Sequence, residues 1–177
     1  MQSPNLVRLA GLFAYPQGST CYCVTDLADD FAAENGAAAS ALREFAQAWA
    51  DLTPEQQQEL FVRTFDLNPL CSLEVGWQLY GDHYDRGAFL VRMRQKLREL
   101  GLTESTELPD HLSLVLELLG QMPDQDAARL AAESVLPAVD KMLDSLRETD
   151  NPYRHLLRAA RVVVGAMAAQ AHQEVNP

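Results

Sequence analysis

Residues able to do chemistry are sparse in this 177-residue chain, and the densest group is the hexapeptide ELPDHL at 107–112. Asp110 and His111 adjoin there, directly before the apolar run Leu112, Leu114, Val115, Leu116, Leu118 and Leu119. An Asp–His pair can move a proton or hold a metal ion. A helical metal-dependent hydrolase, however, wants the order His-Asp with further His and Asp ligands. Here the order is reversed, and His83, His155 and His172 are scattered. The same residues suit a helix entry. Proline is tolerated in a first turn, and an acid near a helix N-terminus gains roughly 0.3–1 kcal/mol from the macrodipole.

The thiols are a second candidate. Cys21 and Cys23 form a C-x-C pair and Cys71 lies far away. A structural zinc site takes four ligands, typically as two close pairs, and the second pair is missing. An odd number of cysteines does not make a disulfide framework either. Ordinary thiols are the expectation. No glycine-rich phosphate loop, nucleophile elbow or triad spacing is present. The residues therefore predict no enzyme, no bound cofactor and no metal centre.

A third cluster is built for binding. WQLYGDHYDRG at 77–87 gathers Trp77, Tyr80, His83 and Tyr84. Amphipathic aromatics suit peptide recognition because they bury a large area and keep a polar tip. They also suit a helix core, since Leu73, Trp77 and Tyr80 recur at i, i+4 and i+7. Both readings stand at this level. The following run holds Arg86, Arg92, Arg94, Lys96 and Arg98 without an acid from 86 to 98. Its face at 92–98 reads as a solvated helix face.

Helical periodicity must position these groups, because no stretch alternates as a strand would. Stripes at 5–14, 24–34 and 37–51 carry Leu6, Leu9, Phe13, Val24, Leu27, Phe31, Leu42, Phe45 and Trp49. Pro16 and Gly18 stop the first, and Asn35-Gly36 separates the other two. TPEQ at 53–56 is a capping box that opens a helix ending before Asn68-Pro69. Helix is expected over 71–81, over 83–100 with Gly101 as its stop, and over 107–119. Another is expected at about 125–147, kinked or divided by Pro137, and a last one opens at Asn151-Pro152. The prediction is one compact all-α domain over 1–177, a multi-helix bundle of about eight or nine helices.

Composition agrees. Hydrophobic residues make up 47% and charged residues 22%, ordinary values for a globular chain long enough to bury a core. No apolar run approaches a membrane span, and the start MQSPNLVRLAG lacks the features of a secretory signal. The cytoplasm is the expected location. A net charge of −11 argues against nucleic acid as a partner and favours cationic ones. Outside 86–98 the balance is 25 acids against 9 bases, so a cationic ligand finds its attraction there.

Several segments together resemble one family. FDLNPLCSLEVGWQLYGDHYDRGAFLVRMRQKLRELGL, followed by ELPDHLSLVLELLG, is similar to the NarJ group of nitrate reductase assembly chaperones, within the TorD/DmsD class of redox-enzyme maturation proteins. LVRLAGLFAYP near the start and NPYRHLL at 151–157 extend the likeness. The resemblance implies an all-helical bundle that is not an enzyme and carries no cofactor of its own. Its implied partner is the N-terminal peptide of an apo-molybdoenzyme catalytic subunit, held while the molybdenum cofactor is inserted, with the insertion machinery as a further contact. Some members delay twin-arginine export. The family's Pro-Asp-His segment matches Pro109, Asp110 and His111, so the implied peptide-binding set is Leu73, Trp77, Tyr80, Tyr84, Glu107, Pro109, Asp110 and His111. Two other functions stay open: a metal-dependent hydrolase using Asp110 and His111, and a permanent structural subunit of an oxidoreductase complex.

Overall fold

The computed structural model describes residues 3–17, 20–103 and 106–173, except for the side chains of 20–22 and 171–173. Gly18 and the side chains of Cys21 and His172 therefore fall outside what is described. Among the described residues there are helices and no strands. In chain order they are α1 (Pro4–Gly11), α2 (Thr20–Glu34), α3 (Gly36–Ala50), α4 (Pro54–Phe61), α5 (Val75–Tyr80), α6 (Asp85–Glu99), α7 (Leu112–Gln121), α8 (Asp124–Leu130), α9 (Leu136–Ser145) and α10 (Tyr153–Gln173). A π turn, Val62–Asp66, prolongs α4, and a second, Ala131–Val135, joins α8 to α9. That makes nine continuous helical stretches, within the expected eight or nine.

Local chemistry starts several of them. Asn35 accepts a hydrogen bond from the Ala38 amide at 3.2 Å and opens α3. Thr53 and Gln56 exchange bonds of 2.8 and 3.3 Å, the capping box in full. Each such cap contributes about 1 kcal/mol. Asn151 accepts from the Tyr153 amide at 3.0 Å and opens α10.

The helices close around one core. α2 and α3 form a hairpin, α10 packs against α3 and against α8 and α9, and α1 lies on α7. The last contact is close: the Ser3 amide donates to the Gly120 carbonyl at 3.0 Å, and a Cβ on Gly120 would sit 3.3 Å from the Ser3 oxygen and from Val7 Cγ2. Tyr153 joins an aromatic cluster, its ring centroid 4.6 Å from Phe65 and 5.2 Å from Trp49. Such offset and edge-on pairs add about 0.5–1.5 kcal/mol each beyond area burial.

Two expectations need correction. The 71–81 segment becomes helical only at Val75, and Leu73 lies in a bend before it. The expected division at Pro137 is present: α8 passes into the π turn, and Pro137 falls in the first turn of α9 just after it. A wider turn there removes the bond its missing N–H would have broken. Finally, α7 starts at Leu112 with His111 as N-cap, so Glu107 to Asp110 precede the helix rather than form its first turn. The reason for the last is tertiary. The Val75 amide donates to the Asp110 carbonyl at 2.9 Å and the Leu112 amide to the Leu73 carbonyl at 2.8 Å. An antiparallel bridge between Glu74 and His111 thus holds these two residues extended.

Candidate functional site

That bridge places the hexapeptide beside the aromatic cluster. Asp110 lies under the junction, fully buried. Its Oδ2 accepts from the Gly76 amide at 2.9 Å, and a Cβ on residue 76 would meet that oxygen at 2.7 Å and Phe89 Cδ1 at 2.9 Å. Only glycine fits. Burial pushes the Asp110 carboxyl above its ordinary pKa; the Gly76 amide and the Arg86 guanidinium oppose this, and Glu74 adds to it. His111 is also buried. Its Nδ1 accepts from the Ser113 amide at 3.3 Å and lies 2.7 Å from the Ser113 hydroxyl. Burial lowers the His111 pKa against the pull of Glu74. A neutral imidazole capping α7 is the consistent state.

A groove of about 1020 Å³ opens beside this junction. Leu73, Trp77, Glu107 and His111 line it on one side. The other side comes from remote sequence: Phe13 to Gln17, the rings of Phe61 and Phe65, and Trp49 and Tyr153. Among the described residues four carboxylates, Asp66, Glu74, Glu107 and Glu117, line it, and no Lys or Arg does. Burial, and then the charge of Glu107, raise the pKa of Asp66, which is what two acids facing one cleft do to each other. Trp77 is held at one edge by its Nε1, which donates to the Pro69 carbonyl at 2.9 Å, and the Arg86 guanidinium lies over its ring at 5.3 Å. The cleft can therefore take apolar side chains on rings and a positive charge on its acids.

The geometry sorts the eight expected residues. Leu73, Trp77, Glu107 and His111 meet in the groove. Tyr80, Tyr84, Pro109 and Asp110 are not among its lining. Tyr80 packs on Phe89, 5.8 Å between centroids, and Tyr84 is 88% exposed. Asp110, at 0% exposure, is out of reach of any ligand in this conformation, so a direct polar contact from it is replaced by a supporting one. Sequence reasoning missed Gly76, Arg86, Asp66 and Glu117. No local signal marks them, since each matters through a residue distant in the chain. Of the thiols, Cys23 is exposed and Cys71 buried, its pKa raised to about 11 by burial. Among the described residues no three His, Cys, Asp or Glu side chains converge as metal ligands. None of the helices searched is long and apolar enough to cross a membrane.

Comparison with known proteins matches this architecture to a family. Over 153 residues the chain is 27% identical to the nitrate reductase molybdenum cofactor assembly chaperone NarJ of Escherichia coli (strain K12), covering 84% of this chain and 64% of that protein. The probable NarJ of Bacillus subtilis (strain 168) is 31% identical over 117 residues, 66% of this chain and 63% of its own. The probable chaperone NarW of Escherichia coli (strain K12) is 28% identical over 111 residues, 62% and 48% of the two chains. The chain thus spans less than two thirds of the length of these relatives. The family model described as "Nitrate reductase delta subunit" matches residues 28–159, which include α3 to α9, the bridge and most of the groove. This chain belongs to the nitrate reductase delta subunit family.

Proposed function

We propose that this chain is a dedicated assembly chaperone that binds the N-terminal peptide of an apo-molybdoenzyme catalytic subunit, that of a nitrate reductase first among candidates, and supports insertion of the molybdenum cofactor. The observation that carries the reading is the groove: among the described residues aromatic side chains line it together with four carboxylates and no Lys or Arg. A short peptide with apolar residues on one face and one or more positive charges is its chemical complement. Recognition is non-covalent. Leu73 and Trp77 supply apolar contact, Glu107 and Asp66 meet the charge, and His111 orders the entry to α7. The curated relatives are named as cofactor assembly chaperones, in line with this role.

Calorimetric titration of the protein with a synthetic N-terminal peptide of its nitrate reductase catalytic subunit tests the proposal. Saturable binding that weakens as salt rises is expected. No binding to the peptide or to the full apo-subunit would overturn it. The family's description as a subunit supports a second reading, a permanent component of the reductase complex. In that case the protein co-purifies with the mature, cofactor-loaded enzyme; a chaperone is found with the apo form.

A further inference from the structure

We propose that Arg86 is a positioning residue of the groove: drawn in by the buried Asp110 carboxylate, its guanidinium lies over Trp77 and holds that indole in place as part of the wall. The inference rests on reading the groove as the peptide site. Its structural half stands without a ligand.

Three side chains carry it. Arg86 and Asp110 converge on Gly76, where a Cβ would lie 3.5 Å from Arg86 Cγ and 2.7 Å from Asp110 Oδ2. Arg86 Nε and Asp110 Oδ1 are both buried, and neither has a hydrogen-bond partner. Their link is one of charge: the Arg86 guanidinium favours the Asp110 carboxylate against the cost of its burial. The Arg86 guanidinium then sits 5.3 Å from the centroid of Trp77. A cation over an indole face is attracted by the ring quadrupole, and more strongly where water is partly excluded. The opposite constraint on Trp77 is its bond to the Pro69 carbonyl, which by itself leaves the ring free to swing about that edge.

The arrangement also explains a charge pattern. Arg86 begins the acid-free basic run at 86–98, yet it does not line the groove. Engaged with Asp110 and Trp77, its charge is kept from the acid-lined cleft and does not compete with an incoming cation. Asp110 thereby acts on the groove without touching it. Arg86 passes its effect to Trp77.

The experiment uses acrylamide quenching of tryptophan emission in the full chain, with no peptide present. The protein has two tryptophans, and Trp77→Phe isolates the signal of buried Trp49. Arg86→Met should raise quenching of Trp77 clearly above wild type. Arg86→Lys, which keeps charge but not the planar stack, should recover only part of the difference. Asp110→Asn, still able to accept from the Gly76 amide, should loosen Trp77 in the wild-type background and add little once Arg86 is Met. Peptide affinity should fall on the order of three- to fivefold in Arg86→Met. Unchanged Trp77 quenching in both Arg86 variants overturns the proposal, as does a lowered melting temperature with quenching unaltered. So does additivity of Asp110→Asn and Arg86→Met. If wild type binds no peptide while the quenching pattern holds, the peptide reading fails and the positioning role stands.

Discussion

Gly76→Ala is the sharpest single perturbation of the junction beneath the groove. The added methyl would sit 2.7 Å from Asp110 Oδ2 and 2.9 Å from Phe89 Cδ1, both inside van der Waals contact. Neither neighbour gives way cheaply. Asp110 is fully buried and tied to the Gly76 amide, and Phe89 is 1% exposed in the core. Overpacking of this kind costs roughly 1–3 kcal/mol. Alanine regains up to about 1 kcal/mol of helix propensity, less at the second residue of a six-residue helix such as α5. The net expectation is a loss of about 1–2 kcal/mol, or roughly 3–8 °C in melting temperature for a chain of this size. Gly87→Ala is the matched control: it lies in α6, and a Cβ there meets nothing within 4 Å. It should be neutral or stabilising by a few tenths of a kcal/mol. Urea unfolding of both variants at pH 7 gives the comparison. Equal shifts of the same sign would refute the claim that Asp110 and Phe89 leave room only for hydrogen at position 76.

His111 sets a pH dependence. Its folded pKa lies below the ordinary histidine value of 6.5 because it is buried, so the unfolded chain binds the extra proton first. Stability should therefore fall as pH drops through about 6.5 and keep falling until the folded imidazole itself titrates. His111→Asn, which can still cap Ser113, should flatten that part of the profile in melting measurements between pH 5 and 8; an unchanged slope would mean that His111 does not titrate as its burial requires. At the groove, Trp77→Ala should weaken peptide binding by about 2 kcal/mol or more, the hot-spot scale for a buried aromatic. Tyr84→Ala, 88% exposed and outside the lining, should leave affinity within about twofold, and calorimetry on the two variants separates wall from surroundings.

Local interactions made most helices legible in the sequence. The Thr53–Gln56 box, the Asn151 cap and the Gly101 stop each involve residues within about four positions of one another, and all are readable. Gly101 adopts φ 69°, the left-handed conformation that favours glycine at a helix end. The helical stripe of α3 buries the residues that its spacing singled out, Leu42, Phe45 and Trp49. The family resemblance was carried by segments around 61–122, inside the stretch that the family model matches.

Tertiary structure decided what no short window contains. Leu73, Trp77 and Tyr80 share a helical spacing, but the bridge from Glu74 to His111 leaves Leu73 outside the helix, and Tyr80 turns to Phe89 while Trp77 enters the groove. The far side of the groove comes from Phe13 to Gln17 and from Tyr153, brought in by packing of the bundle. By its sequence Asp110 reads as an acid at a helix start. It is buried because the 108–112 segment pairs with 73–75, an event 34 residues apart in the chain at the Gly76–Asp110 bond. The residue types and their caps were written locally, so the sequence alone determined the helices. Which carboxylate meets solvent and which supports from beneath depends on long-range pairing and burial, and only the folded chain determines those.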